Sequence, residues 1–201
     1  MGVKTTRVIS TISYNSEEYL FQKLEELKKN HIISFYAFVH HLAEDDEGGK
    51  KDHNHLFIEP SKSLLTDNLT EELKEFDPNN PSKPKTCISW KFSKFSDWYL
   101  YSIHDRRYLA LKQQSRKYHY SFEDVITSDI DDLNYRVRTI DLLELSPYSD
   151  MLDAQNQGLT FEEYFGRGTV PIPQVAQFER AWYLLRANIL ERSDRSNHEQ
   201  N

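Results

Sequence analysis

His53 and His55 flank Asn54 in the run Lys51-Asp52-His53-Asn54-His55-Leu56-Phe57-Ile58-Glu59, which Pro60 closes. Read as a strand, this run sends His53, His55 and Phe57 to one face and Asn54, Leu56 and Ile58 to the other, because side chains alternate across the pleat. Two imidazoles then stand side by side on a rigid platform, a way to hold two legs of a divalent cation site. A bare His-x-His more often marks two histidines of structural role, so its meaning turns on a third ligand. His41 and Glu44, at the exit of the preceding apolar run, are the candidates, with Asp45 and Asp46 as substitutes. Three imidazoles, with or without a carboxylate, would leave positions open for substrate oxygens, as a catalytic metal requires.

A nucleophile is also available. In Asp97-Trp98-Tyr99-Leu100-Tyr101-Ser102-Ile103-His104, read as helix, Tyr101 and His104 lie three apart and share a face. A phenol, with an ordinary pKa of ~10, is a poor nucleophile at neutral pH and needs a base, a cation or a metal-activated phosphate beside it.

The elements that must position these groups follow from periodicity. Residues 6–12 are β-rich, and Asn15 or Ser16 can cap a helix in which Tyr19, Leu20, Leu24 and Leu27 recur at helical spacing. Residues 32–39 form a second strand, apolar on both faces and so central to a sheet. The acidic stretch 44–47 and Gly48-Gly49 turn the chain back into the histidine strand as a hairpin. A helix starting at Ser61 or Ser63 follows, then a proline-rich loop over 77–84, a strand over 85–92, and a helix capped by Ser96 or Asp97 that carries Tyr99, Tyr101, His104, Tyr108 and Leu111. The alternation predicts an α+β fold with a largely antiparallel sheet and flanking helices. Farther on, Gln157-Gly158 offers a stop, and Thr160 with Glu163 matches a capping box. Val175, Phe178, Trp182, Leu185 and Ile189 make one apolar stripe on a helix from about 174 to 192. The division expected is an α+β domain over 1–130 and a helical region over 131–201 whose tail from Ser193 is disordered.

Composition limits the partners. The formal charge of −7 argues against coating nucleic acid by charge alone. Between Lys83 and Tyr120, however, nine basic residues stand against two acidic ones, and Lys91, Lys94, Arg106, Arg107, Lys112 and Lys117 are candidate contacts for a nucleic-acid backbone. The single cysteine, Cys87, excludes an internal disulfide framework and a multi-cysteine zinc site. No run approaches the ~18 apolar residues of a membrane span and no signal-like apolar segment opens the chain, so an intracellular, cytoplasmic protein is expected.

The order of these segments resembles that of the HUH-type replication initiators of small rolling-circle plasmids, particularly the branch called the Rep type 2 family. The similarity lies in the strand Phe35-Tyr36-Ala37-Phe38-Val39-His40-His41, in His53-Asn54-His55, in Tyr99-Leu100-Tyr101 with His104, and in Lys117-Tyr118-His119-Tyr120 followed by Asp124, and it covers roughly residues 6–130. It implies a ferredoxin-like or RRM-like nuclease sheet and a bacterial, site-specific endonuclease using Mn²⁺ or Mg²⁺. In that family the metal polarises a phosphate of single-stranded or hairpin origin DNA, and a tyrosine attacks to give a 5′-phosphotyrosyl link and a free 3′-hydroxyl. By register Tyr101 takes the role of nucleophile, with Tyr99 in reserve. The freed 3′ end would pass to a host helicase or polymerase, and the C-terminal helices would serve oligomerisation, duplex binding or plain packing. The chain departs from the pattern at Asn54, where a bulky hydrophobe is usual and a surface-facing edge would accept Asn, and at Leu42, where an acidic residue is usual. The rival readings are a non-catalytic single-strand-binding module and a relaxase-like mobilisation protein, for which Tyr14 would be the early tyrosine.

Overall fold

The computed structural model describes residues 2–43, 51–76, 82–168, 174–187 and 190–191. Two compact units emerge: residues 1–102 with 122–140, and residues 103–121 with 141–201. The expected boundary at 130 thus falls inside the first unit, and the second unit takes in an inner stretch of chain.

The first unit is α+β. Its five-stranded sheet runs β6-β2-β4-β3-β8, with every neighbouring pair antiparallel. The strands are β2 (Ile9–Ser13), β3 (Ile33–His41), β4 (His53–Pro60), β6 (Cys87–Phe92) and β8 (Val125–Thr127). A two-stranded ribbon of β1 (Lys4–Thr5) and β5 (Leu64–Leu65) lies apart from it. The longest strands, β3 and β4, are central, because Phe35 to Val39 and Leu56 to Ile58 are buried on both faces.

One face of the sheet carries the main core. Ile9, Tyr36, Phe38, Leu56 and Ile58 meet Leu20, Leu24 and Leu27 of α1 (Glu17–Lys29) and Leu69 of α2 (Thr66–Glu72). The 4-then-3 spacing of those leucines is what turns a single stripe of α1 inward. The helix expected from Ser61 or Ser63 begins only at Thr66, since Leu64 and Leu65 are drawn into the ribbon with β1. On the opposite face, Phe57 packs against Phe95 and Trp98 of α3 (Phe95–Ser102), at ring distances of 5.5 and 5.3 Å. α5 (Ile130–Arg138) joins this layer: Arg136 lies over the Phe35 ring at 4.4 Å and bridges Glu59 and Asp132.

The second unit is helical. α4 (Arg106–Leu111), α6 (Ser146–Asn156), α7 (Phe161–Gly166) and α8 (Val175–Arg186) share a core built from Ala110, Tyr148, Met151, Phe161, Phe178 and Trp182, among others. β7 (Tyr118–His119) pairs in parallel with β9 (Leu190–Glu191). The capping box of Thr160 and Glu163 forms as expected, and Gly158 takes a φ of +80° just beyond α6. The expected stripe on the last helix is buried at Phe178, Trp182 and Leu185, while Ile189 and the tail from Ser193 lie outside the described residues. Among the described residues no helix is long and apolar enough to cross a membrane.

Candidate metal centre

The β3–β4 hairpin builds the site. His41 pairs directly with His53, and Val39 with His55, so all three histidines point to the face covered by α3. Ring centroids stand 5.2 Å apart for His41–His53, 4.4 Å for His41–His55 and 5.1 Å for His53–His55. One ring nitrogen of each lies within 4.8 Å of the others, close enough to bind a metal ion. All three side chains are buried, at 1, 2 and 8% exposure.

Backbone carbonyls orient two of these rings. His41 Nε2 lies 2.7 Å from the Ser102 carbonyl, and His53 Nδ1 lies 2.9 Å from the Lys51 carbonyl. A carbonyl only accepts, so the bonded nitrogen carries the proton in each ring. In the neutral imidazole the lone pair then falls on Nδ1 of His41 and Nε2 of His53, and each carbonyl acts as the outer partner that fixes a metal-ligating tautomer. The donor set is three nitrogens, which suits Mn²⁺, Fe²⁺ or Zn²⁺ better than the oxygen-seeking Mg²⁺. Glu44, Asp45 and Asp46, the expected carboxylate candidates, lie outside the described residues.

α3 places the tyrosine. Phe95, Trp98 and Tyr101 follow one another at three-residue spacing, so they form one stripe along the helix. Phe57 and His55 form the matching stripe on β4, two residues apart on one face. Phe95 and Trp98 seat on Phe57, and Tyr101 consequently meets His55 at 5.4 Å, edge to face. Tyr101 is half-buried. Tyr99, by contrast, is buried and stacked on Phe95 at 5.8 Å.

Asn54 points the other way and is completely buried, which corrects the expectation of a surface-facing edge. Its amide donates to the Asn15 carbonyl at 2.8 Å and to Ser13 O at 3.4 Å, and its Oδ1 accepts from His40 Nδ1 at 2.9 Å. Asn15 in turn donates to Leu73 O and accepts from the Ser13 hydroxyl. An amide here satisfies groups that a bulky hydrophobe would leave bare.

The single helix expected to carry both Tyr101 and His104 is two helices. α3 stops at Ser102, His104 adopts a φ of +56°, and Asp105 caps α4 by accepting from the Arg107 and Tyr108 amides. The shared face of Tyr101 and His104 is therefore lost. His104 belongs to the second unit, where it is buried, its Nδ1 donates to Tyr118 O at 2.7 Å and its ring meets Tyr120.

The expected backbone contacts divide between the units. Lys91 and Lys94 are exposed in the first. In the second, Arg107 is paired with Asp105 at 2.8 Å and Arg106 donates to Leu185 O, so both guanidinium groups are half-buried and engaged within their own unit. Lys112 and Lys117 are exposed beside the Tyr108 and Tyr118 rings.

Tyr14, the early tyrosine that a relaxase-like protein would use, lies beside the histidines. Its ring stands 6.3 Å from that of His53, on the rim of a cleft of about 850 Å³. The available signal was its position just past the end of β2, the strand that pairs with the histidine strand.

No protein-family model matches the chain, and neither a curated protein nor a solved structure matches it.

Proposed function

We propose that the chain is a metal-dependent, site-specific endonuclease and strand transferase of the HUH type, an initiator of rolling-circle plasmid replication in the bacterial cytoplasm. The observation that carries the reading is the convergence of three buried histidines and Tyr101 on one sheet face. The antiparallel five-stranded sheet, with the histidines on a central strand pair, supports the nuclease fold of that superfamily.

His41, His53 and His55 would hold the ion, with Mn²⁺ favoured over Mg²⁺ by the nitrogen donors. When bound, the metal supplies Lewis acidity toward a phosphate oxygen. Tyr101 is the nucleophile: its Oη bonds to phosphorus, the bond from phosphorus to the 3′ oxygen breaks, and the 3′ oxygen takes up one proton for the one the phenol releases. Reversal by the free 3′-hydroxyl rejoins the strand and restores the phenol. Tyr101 is preferred over Tyr99 because Tyr99 is stacked in the aromatic layer beneath α3. Phe57 positions the nucleophile by seating the helix that carries it. The test is formation of a denaturation-resistant protein–DNA adduct with Mn²⁺ and single-stranded origin DNA, absent in Tyr101→Phe. Metal binding and strand binding without any adduct would favour the non-catalytic binding module instead.

A further inference from the structure

α3 covers only part of the histidine face. It sits over Phe57 and His55, whereas β2 and β6 carry the same face outward to an edge of the sheet. Ile12 pairs with His55 and with Ile88, and Ser10 pairs with Phe57 and with Lys91, so these four side chains continue the plane of the histidines. The register shifts between these pairs, and Ser89 takes a φ of +31°, which lets Ile88 and Lys91 fall on one face although they are three apart. Ile88 is 44% exposed and Lys91 is exposed.

At the end of the strands this strip meets the cleft whose wall includes Tyr14, Lys51, Lys83, Lys85 and Ile88. Lys51 precedes the histidine strand by two residues, and the Tyr14 ring stands beside His53, so cleft and triad adjoin. The lining offers a half-exposed aromatic ring, an aliphatic side chain and exposed ammonium groups. The cleft also holds Glu17 and Asp52, the latter accepting from the Ala43 amide at 2.7 Å, and Lys85 stands 3.9 Å from Glu75, so Lys51 and Lys83 are the cations left to face a ligand. An apolar platform with cations along its margin is what an unpaired nucleotide chain requires: bases stack on the ring and phosphates follow the lysines.

Resting on the nicking-centre reading, we infer that the single strand crosses the open β2–β6 half of the histidine face and enters this cleft. Tyr14 stacks a base beside the phosphate presented to the triad, and Lys51 and Lys83 hold the flanking backbone.

The test is equilibrium binding of a short fluorescein-labelled oligothymidylate to the full chain in EDTA at low salt, read by anisotropy. Tyr14→Ala should weaken binding by about ten-fold, as loss of one stacked base does. Tyr14→Phe should bind as the parent does, since the ring and not the hydroxyl is used. Lys83→Glu should weaken binding and lower the salt slope by about one, while Lys29→Glu, at the end of α1 on the opposite face of the sheet, should leave binding unchanged. Unchanged thermal melting would separate these effects from misfolding. No oligonucleotide binding, parental affinity in either Tyr14→Ala or Lys83→Glu, or an equal loss in Lys29→Glu would each overturn the track. The nicking reading is tested separately by the adduct: an adduct with an intact Tyr14→Ala affinity sinks the track alone, and track-dependent binding with no adduct sinks the nicking reading alone.

Discussion

His55 and Tyr101 meet ring to ring, their centroids 5.4 Å apart and their planes at 71°. The pairing follows from two matched stripes: Phe95, Trp98 and Tyr101 on α3, and Phe57 and His55 on β4. A core contact therefore fixes a chemical one, because the helix cannot seat its aromatic residues on Phe57 without delivering Tyr101 to the histidines.

Phe57→Ala should separate the two roles. Phe57 is fully buried against Phe95 and Trp98, so its truncation should destabilise the chain by about 3–5 kcal/mol. At a temperature where the variant remains folded, adduct formation should fall much further than metal binding, because the histidines stay on the hairpin while α3, which carries Tyr101 and only one of the carbonyls that orient the rings, loses its seat. Urea melts, metal titration and the adduct assay check this together. Full adduct formation in a destabilised variant would mean that Phe57 does not position Tyr101.

Metal should stabilise the fold. Mn²⁺ or Zn²⁺ at about a hundred times its dissociation constant adds ~2.7 kcal/mol, which for a chain of this size raises the melting temperature by roughly 5–10 °C. His53→Ala and His55→Ala should abolish the rise. Mg²⁺ should give much less, because its preferred ligands are oxygens. A rise that survives both variants would place the ion elsewhere.

Asn54→Leu puts a bulky hydrophobe in place of the buried amide, and it should harm this chain. The Asn54 amide serves Asn15 O and His40 in a closed interior, so leucine leaves buried polar groups unmatched at a cost of about 1–3 kcal/mol. Chemical denaturation measures it. Equal or greater stability of the leucine variant would show that the network contributes nothing net.

Cys87 gives the pH dependence. Burial pushes its thiol from 9.0 up to about 12, against a smaller opposing pull from the Ser13 hydroxyl. The folded chain thus holds that proton more tightly than the unfolded one. The stability so contributed is complete below pH 9 and is lost as pH rises toward 12, at up to about 1.4 kcal/mol per pH unit. Burial and the Glu25 carboxylate also raise the Tyr36 phenol, so part of the alkaline decline belongs to it. Denaturation across the alkaline range should show a shallower decline in Cys87→Ala than in the parent. Identical slopes would contradict the assignment to Cys87.

Much of the central hairpin was legible in the sequence. Period-two alternation put His53 and His55 on one face, the doubly apolar run before His41 marked a central strand, and the glycine turn between them implied their pairing. The rest depended on contacts that periodicity does not encode. The break after Ser102 arises because Asp105 caps a new helix and His104 turns left-handed, and neither event alters the apolar pattern that suggested one continuous helix. β8 is three residues long, below the length at which alternation can be read, although its Val-Ile-Thr composition was a usable sign. The basic cluster looked continuous in sequence, yet Arg106 and Arg107 are engaged within the second unit, while Lys51 and Lys83 line the cleft beside the triad. Asn54 looked like a departure from pattern because its partners, Asn15 and His40, come from different strand ends.

The most direct measurement is denaturing gel electrophoresis after incubating the chain with Mn²⁺ and labelled single-stranded origin DNA, the parent beside Tyr101→Phe and His55→Ala. A slow, protein-linked DNA band in the parent that is missing in both variants is the expected result. An adduct that persists in Tyr101→Phe, or no adduct from a parent chain shown to bind metal and DNA, contradicts a tyrosine nicking centre at this site.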